Sequence, residues 1–158
     1  IPNSHLVVAG SGEYEDKISA LVNKLGLKES ITIIQWLDVE GVKELLSISD
    51  IFLYPSIAFG GWEEQFGYSM AEASLMELPV ISTKTGSIGE VVRDMETGLL
   101  ISPNDINVLK NAMLILGQDK ELRYKMGRAG RQYIENNFSY EKVARKFYNF
   151  FNEVTLSG

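Results

Sequence analysis

The sequence of 158 residues contains no cysteine and one histidine, His5. The first absence excludes disulfide scaffolds, cysteine-ligated zinc clusters and thiol nucleophiles. The second leaves no histidine metal site and no Ser-His-Asp triad without help from elsewhere. Long apolar runs are missing as well. The uncharged stretch Ile51–Trp62 is too short for a membrane span and is interrupted by Pro55, Gly60 and Gly61. Positive charge is in deficit: 15 Lys and Arg stand against 21 Asp and Glu, a net charge of −6. Phosphate neutralisation supplies most nonspecific nucleic-acid affinity, so nucleic acid is not an expected partner. No signal or transit peptide is visible at the N-terminus, and the expected location is the cytoplasm. What is present is ordinary for a globular chain, with 45% hydrophobic and 23% charged residues. The length predicts one domain over 1–158 with a proper core.

The charge is unevenly spread. Residues 1–118 carry seven basic and sixteen acidic groups, and residues 119–158 carry eight and five. A solvated helix face accounts for the basic end. Short β-branched or apolar runs alternate with helical patterns. Strands are expected at His5–Ala9, Ile31–Leu37, Asp50–Tyr54, Pro79–Thr83 and Leu99–Ser102. Between them, Ile18, Leu21, Val22 and Leu25 fall at helical spacing before Gly26. Asp38 caps a helix carrying Val42, Leu45 and Leu46, Tyr68–Leu78 is a helix stopped by Pro79, and Asp105 caps another to about Gly117. Helices over about Asp119–Glu135 and from a Ser139 cap to about Val154 close the chain. Alternation of this kind predicts an α/β fold with a doubly wound, Rossmann-like parallel sheet. Ligands then sit outside the carboxyl ends of the strands.

Gly10-Ser11-Gly12 follows a strand and opens a helix, but Glu15 stands where a dinucleotide fingerprint needs its third glycine. A tight strand-to-helix turn is the better account. The segment Trp62–Ala73 is richer. Gly67 sits at a predicted helix start, where the amides of Phe66, Gly67 and Tyr68 would face an incoming anion. Glu72 lies further along that helix, placed to accept hydrogen bonds from ribose hydroxyls. Glu64 lies before it, near a reacting centre. Either glutamate alone reads as a solvated charge; the pair with Phe66-Gly67 between them does not.

Glu64-x7-Glu72, followed by Leu78-Pro79-Val80-Ile81, resembles the retaining nucleotide-sugar glycosyltransferases of the two-Rossmann-domain (GT-B) type, most of all glycosyltransferase family 4. The stretches Leu6–Gly12, Ile31–Leu37, Asp50–Ser56, Gly86–Val92, Thr97–Asp105 and Phe138–Val143 agree in order and spacing. The resemblance covers nearly the whole chain and implies the C-terminal, donor-binding half of such an enzyme. It assigns Glu72 to the nucleotide ribose and Glu64 to the donor sugar or to developing positive charge. Gln65, Phe66, Gly67 and Tyr68 fall in the diphosphate-binding turn. Gln35, Trp36 and Leu37 would line the base. Lys84, after a strand at the ligand end, would meet phosphate or sugar unless it is a plain solvated lysine.

The chain departs from the family pattern at Glu77, where glycine is common, at Gly86-Ser87 in place of Gly-Gly, and at Lys84. The loop Ile57–Glu63 is unusual and would shape donor or acceptor choice. No Asp-x-Asp occurs, and the resemblance implies a reaction with no metal or other cofactor, the leaving diphosphate being met by Arg and Lys. In the family those cations follow a first strand that would precede Ile1, as would the acceptor-binding half. The chain is therefore expected to be part of a longer enzyme, inactive alone, with a gap between the strands at His5–Ala9 and Asp50–Tyr54. The expected partners are a nucleoside diphosphate sugar and a glycan or lipid acceptor, with peripheral membrane contact through the full-length enzyme. The apolar groups Val143, Phe147, Phe150 and Phe151 of the last helix pack either into a core or toward the N-terminal domain. The competing readings are an epimerase-like enzyme of the same fold and a non-catalytic nucleotide-sugar-binding module.

Overall fold

The computed structural model describes residues 4–156; residues 1–3, 157 and 158 of the expected 1–158 span lie outside it. The fold is α/β, and among the described residues the strand pairs of its sheets are all parallel. The strands form two separate ladders, and the one expected domain takes the form of two compact units, one up to Ile48 and one from Ser49 onward.

In the first unit β1 (Leu6–Ala9) pairs with β2 (Ile31–Ile34), Leu6 opposite Ile31 and Ala9 opposite Ile34. Parallel pairing requires a crossover, which α1 (Glu15–Leu25) supplies. Glu15 and Asp16 in its first turn and Lys24 in its last match the helix dipole. Gly26, at φ 67°, donates to the Asn23 carbonyl, and Leu27 donates to Val22 at 3.0 Å. This is a Schellman end, whose left-handed residue glycine provides without a steric penalty. α2 (Val39–Ser47) starts at Asp38, whose Oδ1 accepts the Gly41 amide at 2.8 Å. β2 is shorter than the expected Ile31–Leu37. Its ladder stops where β1 stops, with the Gly10 amide on the Ile34 carbonyl at 2.9 Å, so Gln35, Trp36 and Leu37 leave the sheet.

The second unit contains β3 (Phe52–Tyr54), α3 (Tyr68–Leu75), β4 (Val80–Thr83), α4 (Ile88–Val91), β5 (Gly98–Ile101), α5 (Ile106–Gln118), α6 (Lys120–Phe138) and α7 (Tyr140–Leu156). The sheet order is β3-β4-β5. All four β4 residues are buried, as expected of a strand paired on both edges and covered on both faces. Ile81, Leu99, Ile101, Ala112, Leu116 and Met126 form a core cluster. Asp105 and Asp119 cap α5 and α6 by accepting the Val108 and Leu122 amides at 3.0 and 2.8 Å.

α3 buries the small residues Ala71, Ala73 and Ser74 beside Met70, and it packs against α6. A Cβ on Gly127 would come within 1.8 Å of the Glu77 carbonyl oxygen, so only glycine permits this approach. α3 ends earlier than Leu78, because Glu77 turns left-handed at φ 60° before Pro79 is reached. Glycine would suit that conformation, which strains a residue bearing a Cβ. On α7, Phe147, Phe150 and Phe151 are exposed and Val143 is half-buried, so the three aromatics do not join the core.

Candidate functional site

The carboxyl end of β4 fixes the loop that follows β3. Ser82 Oγ donates to the Tyr54 carbonyl at 2.6 Å, and Thr83 Oγ1 donates to the Ser56 carbonyl. Both hydroxyls belong to buried residues and are satisfied by this loop. The loop then makes a tight hairpin. Gly60 and Gly61 both have positive φ, 59° and 80°, as a type I′ turn requires. Phe59 and Trp62 exchange both backbone hydrogen bonds across it, at 2.9 and 3.0 Å. Directly opposed residues share a face; here both rings are exposed.

Glu64 follows. Its carbonyl accepts the Ser87 amide at 2.9 Å, and Gly86 sits so close that a Cβ there would be 2.2 Å from that oxygen. Its carboxylate is held on both oxygens. The Tyr54 hydroxyl donates to Oε2 at 2.6 Å, and the Gln65 amide donates to Oε1 at 3.2 Å. The Tyr54 bond chiefly holds Glu64 below the ordinary carboxylate range; partial burial opposes this, and the Phe66, Gln65 and Gly67 amides add to it. Burial first, then the same hydrogen bond and the Glu64 charge, push the Tyr54 phenol up to about 12. The amides of Gln65, Phe66 and Gly67 thus face an anion belonging to the chain itself.

Gly67, at φ 72°, is the N-cap of α3, and Tyr68 is its first residue. First-turn amides have no intrahelical acceptor. The Phe66 ring is anchored inward, its centroid 5.1 Å from Phe138 and 5.0 Å from Tyr68. Glu72 lies on the exposed side of α3, while Met70, Ala71, Ala73 and Ser74 are buried. The structure therefore brings Glu64, Gln65, Phe66, Gly67 and Tyr68 together, with Glu72 just over one helical turn beyond Tyr68.

Lys84 is paired: its Nζ lies 2.9 Å from Asp94 Oδ2, and the other Asp94 oxygen accepts the Leu100 amide. Burial works against ionised Asp94, yet the Leu100 amide and Lys84 hold it below its usual range. Gln35, Trp36 and Leu37 belong to the first unit. Gln35 Nε2 donates to Glu15 Oε1, tying the end of β2 to the start of α1. Trp36 is 77% exposed and borders an open cavity of about 670 Å3 lined by Glu15, Ser19, Ile33, Ile34, Gln35 and Trp36. Glu15, an obstacle to a dinucleotide fingerprint, here serves as the acceptor that orders Gln35.

Sequence reasoning missed Tyr54, Gly86 and Ser87, which hold Glu64 from outside its own segment. Only the glycine at 86 left a local trace. Among the described residues no helix is long and apolar enough to cross a membrane.

The family model described as Glycosyl transferases group 1 matches residues 1–133. A GDP-mannose-dependent monoacylated alpha-(1-6)-phosphatidylinositol monomannoside mannosyltransferase of Corynebacterium glutamicum is 29% identical over 94% of this chain and 39% of its own length. The C-terminal domain of a glycosyl transferase group 1 family protein (LpcC) from Francisella tularensis aligns with a TM-score of 0.76 and 26% identity, over 88% of this chain and 72% of that one. Anabaena HepE, solved in complex with UDP-glucose, aligns with a TM-score of 0.84 and 20% identity, over 97% of this chain and 42% of that one. The chain spans about two fifths of the length of the curated relatives it matches.

Proposed function

This chain belongs to the glycosyl transferases group 1 family, and from that premise we propose that it is the donor-binding, C-terminal part of a retaining transferase of family 4 type. The reaction moves a sugar from a nucleoside diphosphate sugar to a glycan or lipid acceptor. The observation that carries this reading is the pair of carboxylates around the start of α3. Glu64 is clamped and Glu72 is exposed, with the glycine cap and first-turn amides between them.

Glu72 takes the ribose hydroxyls. Glu64 accepts from a donor-sugar hydroxyl and stabilises positive charge developing on the sugar. Tyr68 supplies a first-turn amide to the diphosphate, and Gln65, Phe66 and Gly67 shape the turn that presents it. Gln35, Trp36 and Leu37 line the base. Lys84 meets phosphate only by sharing its bond with Asp94. The exposed Phe59 and Trp62 offer ring faces to the donor sugar or the acceptor. The exposed aromatics of α7 face the acceptor-binding domain of the longer enzyme, so residues 1–158 work as one donor domain with helices 119–154 turned toward that partner. The chemistry runs without metal, in the cytoplasm, with any membrane contact peripheral and made by the full-length protein; the isolated chain does not turn over. The relatives' names favour transfer over epimerisation.

Calorimetric titration with UDP-, GDP- and ADP-sugars tests the reading. One of the three binds the wild-type chain, and Glu72→Ala weakens that binding. Equal affinity in the variant refutes the ribose assignment.

A further inference from the structure

We infer that Tyr54 is the positioning residue of this site: from the end of β3 it fixes the direction of the Glu64 carboxylate across the loop. This deepens the reading above and rests on Glu64 facing the donor sugar.

The two residues are ten apart, and separate parts of the fold set their positions. Tyr54 is placed by the sheet. Its carbonyl accepts Ser82 Oγ at 2.6 Å, and its ring stacks on Phe52 with centroids 6.4 Å apart. Glu64 is placed by the following turn, through the Ser87 amide and the close approach of Gly86. The 2.6 Å bond from the Tyr54 hydroxyl to Oε2 joins these two anchors. With the Gln65 amide on Oε1, each carboxylate oxygen has a donor. A free glutamate would sample several rotamers and lose that freedom on binding; here the loss is already made on folding.

The clamp also decides which chemistry remains. A carboxylate has about four lone-pair positions, so a clamped Glu64 still accepts from a sugar hydroxyl. Its donors all favour the ionised form. Glu64 is thus a fixed anion, suited to accepting a hydrogen bond and to facing positive charge. It is unsuited to donating a proton to a leaving group.

Tyr54→Phe removes the hydroxyl and keeps the ring. Carbon-13 NMR titration of the whole chain follows the Glu64 carboxyl, assigned by its loss in Glu64→Gln. The expected result is a higher Glu64 midpoint in Tyr54→Phe, with the Asp94 midpoint unchanged and the variant still folded. A Glu64 midpoint that stays put in the folded variant overturns the inference. Affinity supplies the second arm, with UDP-glucose, GDP-mannose and ADP-glucose as probes beside UDP, GDP and ADP. Tyr54→Phe and Glu64→Gln should both weaken the sugar-bearing ligand, on the order of tenfold for one lost charged hydrogen bond, and spare the bare diphosphate. Loss in Glu64→Gln alone overturns the role of Tyr54. Loss in neither overturns the sugar reading of Glu64, while the NMR midpoint still decides whether Tyr54 holds it.

Discussion

Among the described residues, Leu46 is the buried hydrophobic of the first unit, and the other fifteen lie in the second. Both units are made of parallel strands and connecting helices, yet they bury very differently. β2 is Ile-Thr-Ile-Ile and has no buried residue; β4 is Val-Ile-Ser-Thr and is buried throughout. The more apolar strand is the less covered one. Composition made both segments strands, but burial came from topology. Among the described residues, β4 has a partner on each edge, while β1 and β2 pair with each other. Ser82 and Thr83 tolerate burial because the loop after β3 takes their hydrogen bonds.

The largest test of this contrast is stability. Leu116, fully buried in the second unit's core, should cost about 2–5 kcal/mol when changed to Ala. Leu21, 52% exposed on α1, should cost no more than about 0.5 kcal/mol. Urea denaturation measures both, and equal losses would break the contrast. Hydrogen exchange sharpens it: β4 amides should exchange only through global unfolding, and β1 and β2 amides through smaller openings.

Ligand binding gives the next effect. Glu72→Ala should weaken the nucleotide sugar by about 1.5–3 kcal/mol, the value of a hydrogen bond to a charged group. Trp36→Ala, its counterpart in the first unit, should cost about 1–3 kcal/mol if the ring stacks on the base. Calorimetry with both variants shows whether one unit or both bind donor.

Acid should then act on the second unit through Glu64 and Asp94. Both carboxyls titrate below their ordinary values in the folded chain. The folded state therefore binds fewer protons than the unfolded chain. Their stabilisation is present above the ordinary carboxylate range and is lost as pH falls through the lowered folded values. Urea midpoints measured from neutral pH downward should fall less steeply in Glu64→Gln with Asp94→Asn. An unchanged slope would remove these two groups from the account.

The smallest expected effect is a gain. Glu77→Gly relieves a left-handed residue at φ 60° and gives up a surface contact with Arg131 at 3.6 Å. Net stabilisation should reach about 1 kcal/mol at most, because glycine's extra freedom in the unfolded chain offsets part of it. A drop in melting temperature would show that the ion pair outweighs the backbone strain.

These outcomes bear on what was legible beforehand. Helix starts at Asp38, Asp105 and Asp119 and the end at Gly26 were readable because a cap is settled within a few residues. The glutamate pair was readable from its spacing and the glycine between. Strand Ile31–Leu37 read too long because a ladder ends where its partner ends, and Ala9 lies far back in sequence. Helix Tyr68–Leu78 reads too long because Pro79 is a local stop signal, whereas the left-handed turn at Glu77 has no glycine to mark it. The clamp on Glu64 was out of reach. Tyr54, Gly86 and Ser87 meet it only after β3, β4 and the following turn have been brought together, and no local pattern encodes that meeting.

The hairpin at Gly60-Gly61 leaves from one fixed point and returns to another. Ser56 is tied to β4 on one side, and Glu64 is tied to Tyr54 and Ser87 on the other. What lies between is a cassette. Because both ends are fixed, changes within residues 58–62 are expected to leave the sheet register and the neighbouring carboxylate in place. If that loop shapes donor or acceptor choice, as proposed, selection or a designer could rewrite it and leave untouched the group expected to face the sugar.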